Sequence, residues 1–355
     1  MRAVTVGIVS IGDMGLGMAK LLQAHGYRVI TVAEGRSEHT LARITAAEIE
    51  ALPSDQELVI QADYILSIVP PRDALAIAER ISGAYKQPDT ATSREALEDV
   101  NGRPSRSPLY FLELNATPGR LAEEMAELFV MDITNATTSC STEASTQPCH
   151  FLDGGIIGGP PSRNTPDGKW KKPSIVLSGS VDLLPSSTST STTSTWAPLA
   201  EVLNMKLVSE RIGAASTLKL SFAALTKGLT ALSIMSFSTA ARESLLPELL
   251  EHLQQYSPHT AALAQSGIIG MSPKAYRWVD EMRGIGEAFD REGGWDGVGS
   301  SVYGGFAEIY RGVAEDTILG QERVEARQRG TSVEDAATII AQRQDRNRAG
   351  DVHEN

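Results

Sequence analysis

Apolar residues along the chain fall into short runs broken by turn residues, and the runs alternate between two periods. Residues 3–9 (AVTVGIV) are continuous in hydrophobicity and rich in β-branched side chains, the pattern of a buried parallel strand. A glycine-rich turn follows. MGLGMAKLLQAHG then carries helical spacing until Gly26 stops it. Residues 28–33 (RVITVA) predict a second strand, so the chain opens with a strand–helix–strand unit. Further strands are predicted at 58–60, after a short helix, at 64–69 (YILSIV) and at 109–114 (LYFLEL). Helices are predicted at 73–82 and 118–129. This alternation predicts an α/β Rossmann fold built on a doubly wound parallel sheet.

Three polar stretches interrupt the pattern, near 83–108, 131–148 and 186–195. They are rich in Pro, Ser or Thr and are expected as surface loop insertions without a catalytic role. The pattern changes at residue 213. GAASTLKLSFAALTKGLTALSIMSFSTAARESLL has few helix breakers and predicts one long helix, followed by others that include 247–256 and 273–289. The chain thus divides into a Rossmann domain over 1–207, an all-α C-terminal domain over 208–320, and a polar C-terminal helix and tail over 321–355.

Length supports two domains, because 355 residues exceed one ordinary core. A net charge of −12 disfavours binding to phosphate backbones, so no nucleic-acid partner is expected. The two cysteines, Cys140 and Cys149, have no metal-ligand spacing and are expected as reduced thiols; no metal site is predicted. The N-terminus reads as a strand, not a signal peptide, and no apolar run approaches the roughly 20 residues of a membrane helix. A cytoplasmic protein without a membrane partner is expected.

The first turn carries candidate chemistry. It reads Ser10-Ile11-Gly12-Asp13-Met14-Gly15, a dinucleotide-binding pattern whose first glycine is replaced by Ser10. Gly12 would let the backbone approach a pyrophosphate, and Gly15 would let the helix pack closely on the strand. The free N–H groups and positive end of the helix favour phosphate. After the second strand comes Glu34-Gly35-Arg36-Ser37. Glu34 suits the ribose hydroxyls of NAD. With Gly35 at the discriminating position, Arg36 and Ser37 suit the 2′-phosphate of NADP. NADP(H) is the preferred cofactor, with NAD possible.

From these motifs onward the chain resembles the 6-phosphogluconate/β-hydroxyacid dehydrogenase superfamily. SIGDMGLGMA (10–19) is similar to the family's glycine loop. Ser67-Ile68-Val69-Pro70-Pro71 is similar to the segment that passes over the cofactor, and Asn115-Ala116-Thr117-Pro118 to the one near the nicotinamide. Asp153-Gly154-Gly155-Ile156-Ile157-Gly158-Gly159 is similar to the substrate motif. Gly213-Ala214-Ala215-Ser216-Thr217-Leu218-Lys219 is similar to the catalytic motif. The resemblance covers roughly residues 1–230 in the family order. It implies cofactor contacts at Val69, Pro70, Asn115 and Thr117, substrate contacts at Ile157, Gly158 and Gly159, and Lys219 as the catalytic residue. The helical remainder, with PKAYRWVDEM at 273–282, looks like a branch with its own C-terminal domain of unassigned function.

The departures are informative. Ile157 stands where the family has a carboxylate-holding serine, and Ala223 where it has an asparagine. Phe222 and Thr226 replace the histidine and glutamate of the 6-phosphogluconate enzymes. The pocket is expected to be apolar, and 6-phosphogluconate is not the expected substrate. Phe222, Tyr276 and Trp278 are candidate substrate contacts, with core packing the alternative for the aromatic pair. His150 is expected to be structural. Lys274 and Glu281 are either pocket groups or a surface ladder.

Hydride transfer also needs a group that moves a proton. A lysine against an apolar wall has its pKa lowered towards the useful range, and Leu218, Leu220 and Phe222 surround Lys219 in sequence. Spacing alone equally allows an exposed helix lysine. Three functions compete: an NADPH-dependent dehydrogenase or reductase acting on a small hydroxy or keto compound, an imine reductase, and a non-catalytic cofactor-binding or regulatory protein. A homodimer through the helical domain is expected, because an apolar helix over 214–245 needs a partner and the resembling family pairs its C-terminal helices.

Overall fold

The computed structural model describes residues 4–101, 108–115, 117–130, 149–163, 168–180, 196–322 and 326–351. The chain forms two compact units, Met1–Lys219 and Leu220–Asn355. The first unit reaches Lys219 and not 207, because the start of the long helix is bonded into the sheet of that unit.

Unit 1 holds eight strands: β1 (Thr5–Ile8), β2 (Arg28–Val32), β3 (Glu50–Leu52), β4 (Tyr64–Ser67), β5 (Leu109–Glu113), β6 (Cys149–Ile157), β7 (Ser174–Ser178) and β8 (Met205–Ser209). Their order is β3-β2-β1-β4-β5-β6-β7-β8. Strands β1 to β6 are parallel; β7 pairs antiparallel with β6, and β8 pairs parallel with β7. Strand order reverses between β1 and β4, which opens the crevice where such sheets bind ligands. The helices of this unit are α1 (Asp13–Ala24), α2 (Glu38–Ala46), α3 (Asp55–Gln61), α4 (Ala74–Tyr85), α5 (Pro88–Asn101), α6 (Gly119–Glu127) and α7 (Trp196–Leu203). One face of the sheet buries Met18, Leu21, Leu22, Leu112, Leu152 and Trp196 against α1 and α7. The other buries Leu58, Ile65, Ile77, Phe111, Phe129 and Phe151 against α3, α4 and α6.

Two expectations are corrected. Residues 58–60 form the end of α3 and not a strand. The Ser54 hydroxyl accepts from Glu57 N–H at 3.2 Å and starts the helix, and Leu58, Val59 and Ile60 are all buried. A run of three apolar residues has no period of its own to separate the two states. The third strand is the short, mostly exposed Glu50–Leu52. The stretch from 83 is likewise helical as far as Asn101, and not a surface loop. Arg94 is buried; its guanidinium donates to the carbonyls of Val59 and, at 2.9 Å, of Ala62, closing the end of α3. The expected insertions at 131–148 and 186–195, and residues 102–107, lie outside the described residues.

The long helix α8 (Ala214–Arg242) begins in unit 1 and continues into unit 2. Hydroxyls along it donate back to carbonyls one turn earlier, as in Thr230 to Thr226, Ser233 to Leu229 and Ser238 to Ile234, so its polar residues do not end it. Contrary to the expectation from apolar runs, α8 has the length and composition to cross a membrane. Half of that stretch is buried, as in the core helix of a folded domain. Unit 2 continues as α9 (Leu246–Tyr256), α10 (Pro258–Met271), α11 (Ala275–Arg291), α12 (Val298–Asp316) and α13 (Val333–Asp351). Asp290, near the end of α11, accepts from Gly299 N–H at 2.7 Å and Ser300 N–H at 3.1 Å, and so caps α12.

Candidate functional site

The turn after β1 has the shape its glycines require. A Cβ added to Gly15 would meet the Ser10 carbonyl oxygen, so α1 sits too close to β1 for any side chain there. A Cβ added to Gly12 would meet nothing within 4 Å: the backbone borders open space. Gly12 caps α1 without a side-chain hydrogen bond, and the first intrahelical bond is Leu16 N–H to the Gly12 carbonyl at 2.8 Å. The N–H groups of the first turn therefore face a cradle that fits a pyrophosphate. Asp13 would repel that anion, but Arg43 of α2 pairs with its carboxylate at 2.8 Å.

Arg36 and Ser37 follow β2. The Arg36 guanidinium donates to the Val9 carbonyl at 2.6 Å and, more loosely, to the Val32 carbonyl at 3.4 Å. This holds a cation at the ends of β1 and β2, beside the glycine turn. Ser37 caps α2, its hydroxyl accepting from Thr40 N–H at 3.3 Å. Glu34 is exposed.

On the other side of the crevice a polar row crosses the sheet. Register places Ser67 beside Glu113, Glu113 beside Asp153, and Asp153 beside Ser178. All four side chains are fully buried; Ser67, Glu113 and Ser178 end their strands, and Asp153 lies in the middle of β6. Asn115 ties the row to the segment after β4. Its side-chain N–H donates to the Ser67 hydroxyl at 3.1 Å, and its Oδ1 accepts from Val69 N–H at 2.7 Å. Its backbone N–H donates to Glu113 Oε1 at 3.0 Å. Pro70 is exposed just beyond Val69. Thr117 is buried, and its hydroxyl has no hydrogen-bond partner among the described residues.

Asp153 anchors the start of α8. It accepts from the Ser178 hydroxyl at 2.8 Å, the Ser216 hydroxyl at 2.5 Å and Ser216 N–H at 3.1 Å. The Ser178 oxygen accepts from Ala215 N–H at 3.0 Å. Strand residues thus satisfy donors that the helix leaves free, and a carboxylate meets the positive helix end. Burial pushes the Asp153 carboxyl above its ordinary value, while these hydrogen bonds pull it back. Gly213 precedes the helix with φ +88°, and a Cβ there would lie 2.8 Å from the Gly119 carbonyl.

One turn further along α8, Lys219 lies across β6. A Cβ added to Gly155 would be 2.6 Å from Lys219 Cβ and 2.7 Å from its Cγ. Only glycine at 155 leaves room for that stem. Lys219 is partly exposed, so it is not enclosed by an apolar wall.

Ile157 ends β6, and the exposed Gly158 and Gly159 follow. The next two residues cross to α1: a Cβ added to Gly17 would be 2.9 Å from Pro161 Cδ and 3.1 Å from Pro160 Cβ. The glycine turn, Arg36, the Val69–Asn115 pair, the β6 end and Lys219 are therefore all carried by unit 1. Phe222, Tyr276 and Trp278 belong to unit 2. Phe222 and Tyr276 are exposed, while Trp278 packs edge-on against Tyr310 and beneath the Lys227 ammonium at 4.7 Å. Glu281 is mostly buried and pairs with Lys227. His150 lies at the start of β6, away from the crevice end, against Tyr110.

Sequence reasoning named Ser67 and Ser216 only as members of motifs, with no role of their own, and did not name Glu113 or Ser178. The available signal was a lone carboxylate within an apolar strand run, in LYFLEL as in FLDGG. No group of three or more metal-ligating side chains occurs among the described residues.

Residues 5–90 match the family described as NADP oxidoreductase, coenzyme F420-dependent, and residues 240–313 match a domain of unknown function, DUF1932. No curated protein matches the sequence. Among solved structures, 3-hydroxyisobutyrate dehydrogenase from Mycobacterium tuberculosis, determined with L-serine, superimposes with a TM-score of 0.59 at 14% identity. The match covers 96% of this chain and 99% of that one. The corresponding enzyme from Salmonella typhimurium gives 0.58 at 15% identity, covering 95% and 99%. A conserved hypothetical protein from Sinorhizobium meliloti gives 0.56 at 17% identity, covering 96% and 97%. The chain has the fold of these hydroxyacid dehydrogenases, with an NADP-oxidoreductase-type N-terminal region and a DUF1932 segment in its helical part.

Proposed function

We propose that the protein is an NADP(H)-dependent oxidoreductase of the β-hydroxyacid dehydrogenase type, acting on a small hydroxy or keto compound. The observation that carries this reading is the pairing, within one unit, of an open glycine cradle at α1 with a lysine laid over Gly155 at the β6 end. When bound, the cofactor supplies the hydride acceptor or donor. The α1 N-terminus holds the pyrophosphate, with Asp13 neutralised by Arg43. Arg36, fixed on the carbonyls of Val9 and Val32, would hold the 2′-phosphate with its remaining N–H groups. Asn115 holds the Val69 segment, which would border the nicotinamide.

Lys219 delivers a proton to the developing alkoxide in reduction and removes it in oxidation. Asp153, Ser178 and Ser216 fix the helix turn that presents it. Ile157, where a hydroxyl would hold a carboxylate, gives the substrate site an apolar lining and disfavours a phosphorylated sugar acid. The test is NADPH oxidation against small keto acids and aldehydes, with cyclic imines as a separate arm. Lys219→Ala should lower turnover roughly 10²–10⁴-fold on the active substrate, with NADPH affinity nearly unchanged. Lys219→Arg should not restore it, because arginine does not give up its proton. Undiminished turnover in Lys219→Ala would remove the lysine from the mechanism.

A further inference from the structure

Glu113 is the carboxylate of the buried polar row that the proposed chemistry does not use. It ends β5, which pairs with β4 one strand beyond the point where strand order reverses, and is fully buried. Oε1 accepts from Asn115 N–H, while Oε2 has no hydrogen-bond partner among the described residues. Burial lifts its carboxyl from the ordinary 4.5 to about 7, with the Ser67 and Asn115 hydrogen bonds pulling the other way. A carboxylate so placed changes charge near neutral pH.

Its location relative to a dinucleotide follows from the fold. With the pyrophosphate on α1 and the adenosine half on the β2 side, where Arg36 stands, the nicotinamide half must extend over the ends of β4 and β5. That is where Asn115 and Val69 lie, directly above Glu113. The oxidised nicotinamide ring carries a positive charge that the reduced ring lacks.

We propose that Glu113, when ionised, attracts the positive ring of NADP⁺ through the field at the β5 end and so sets the balance between oxidised and reduced cofactor. It is a positioning and electrostatic residue, with Asn115 between it and the crevice. This rests on the cofactor reading above. The neighbouring groups are few. Asp153 on β6 faces it and disfavours its ionisation; β4 presents the Ser67 hydroxyl; Ser216 of α8 is turned to Asp153; and Lys219 of α8 lies over Gly155, two positions along β6. By linkage, NADP⁺ binding near pH 7 should release more protons than NADPH binding, since the 2′-phosphate, which titrates at about pH 6, contributes equally to both.

The test is calorimetric titration of NADP⁺ and NADPH into the full chain between pH 6 and pH 8. In the wild type, the ratio Kd(NADP⁺)/Kd(NADPH) should fall roughly three- to thirtyfold over that range, the size expected of one partly screened charge. Glu113→Gln should flatten the ratio, while Lys219→Met should leave its slope in place. Repeating the wild-type NADP⁺ and NADPH titrations at pH 7 in buffers of different ionisation enthalpy counts the extra protons that NADP⁺ releases, without any variant. A ratio independent of pH, equal proton release with both nucleotides, or a slope retained in Glu113→Gln would each overturn the proposal. If the wild type binds neither nucleotide at any pH, the cofactor reading fails, and the proposal fails with it.

Discussion

Arg36 and Glu113 show how single side chains at the crevice are set by their surroundings. Arg36 spends two donors on strand-end carbonyls, which fixes the guanidinium before any ligand arrives. Arg36→Ala should weaken NADPH binding by about 1.5–3 kcal/mol, the range for a hydrogen bond to a charged group, and leave NADH binding little changed. Equal losses for both nucleotides in a fluorescence titration would show that Arg36 does not read the 2′-phosphate. Glu113 has a consequence for stability that needs no cofactor. Its carboxyl is raised to about 7 in the fold, so between pH 4.5 and 7 the folded state binds more protons than the unfolded state. Its contribution is therefore largest in acid and is lost as pH rises through 7. Glu113→Gln should be the more stable protein at pH 8, by on the order of 3 kcal/mol, and the difference should shrink towards pH 5. Urea denaturation at the two pH values checks the sign; a variant that is less stable at pH 8 would contradict it.

At the scale of elements, the start of α8 is the join that matters, because Asp153 and Ser178 replace the helix's own capping residue. Asp153→Ala would leave two hydroxyls and a helix N–H without their acceptor, and should cost about 2–4 kcal/mol by the urea midpoint. Ser37→Ala, which removes an ordinary cap from α2, should cost only about 1 kcal/mol. Similar losses for both would show that Asp153 is no more than a cap. Much of this architecture was legible from residue pattern: β1, β2, β4, β5, α1 and α8 follow runs with a clear period and clear stops. The parts that were not legible lacked that contrast. In α3 the apolar run was too short to show a period, and β3 is a largely exposed edge. The helix α5 reads as polar although Arg94 is buried, because its guanidinium is satisfied by carbonyls far away in sequence. At the site, the glycine turn, the Asn115 segment and Lys219 could be found from local motifs. The polar row could not, because register across β4 to β7 creates it from single residues in four separate segments.

At the scale of the whole molecule, the exposed face of α8 in unit 2 asks for a partner. Leu225, Leu232 and Met235 are 78%, 52% and 52% exposed on one helix. Their exposure supports a homodimer formed through the helical part, since so apolar a face is costly in water. Light scattering at micromolar concentration should give twice the chain mass, and Leu225→Glu combined with Leu232→Glu should shift it towards monomer. A wild-type monomer would remove the idea. The central claim, that unit 1 is a dinucleotide site, rests on the cradle beside Gly12, and that residue offers its most direct test. A side chain at Gly12 meets no protein atom near its Cβ, whereas one at Gly15 would collide with the backbone. Gly12→Val should therefore melt within a few degrees of the wild type yet fill the cradle. Calorimetric titration of NADPH should show binding by the wild type and a loss of at least about tenfold in Gly12→Val, consistent with the 1–3 kcal/mol of an overpacked site. Wild-type protein that binds no NADPH, or a folded Gly12→Val that binds it as tightly, would contradict the account.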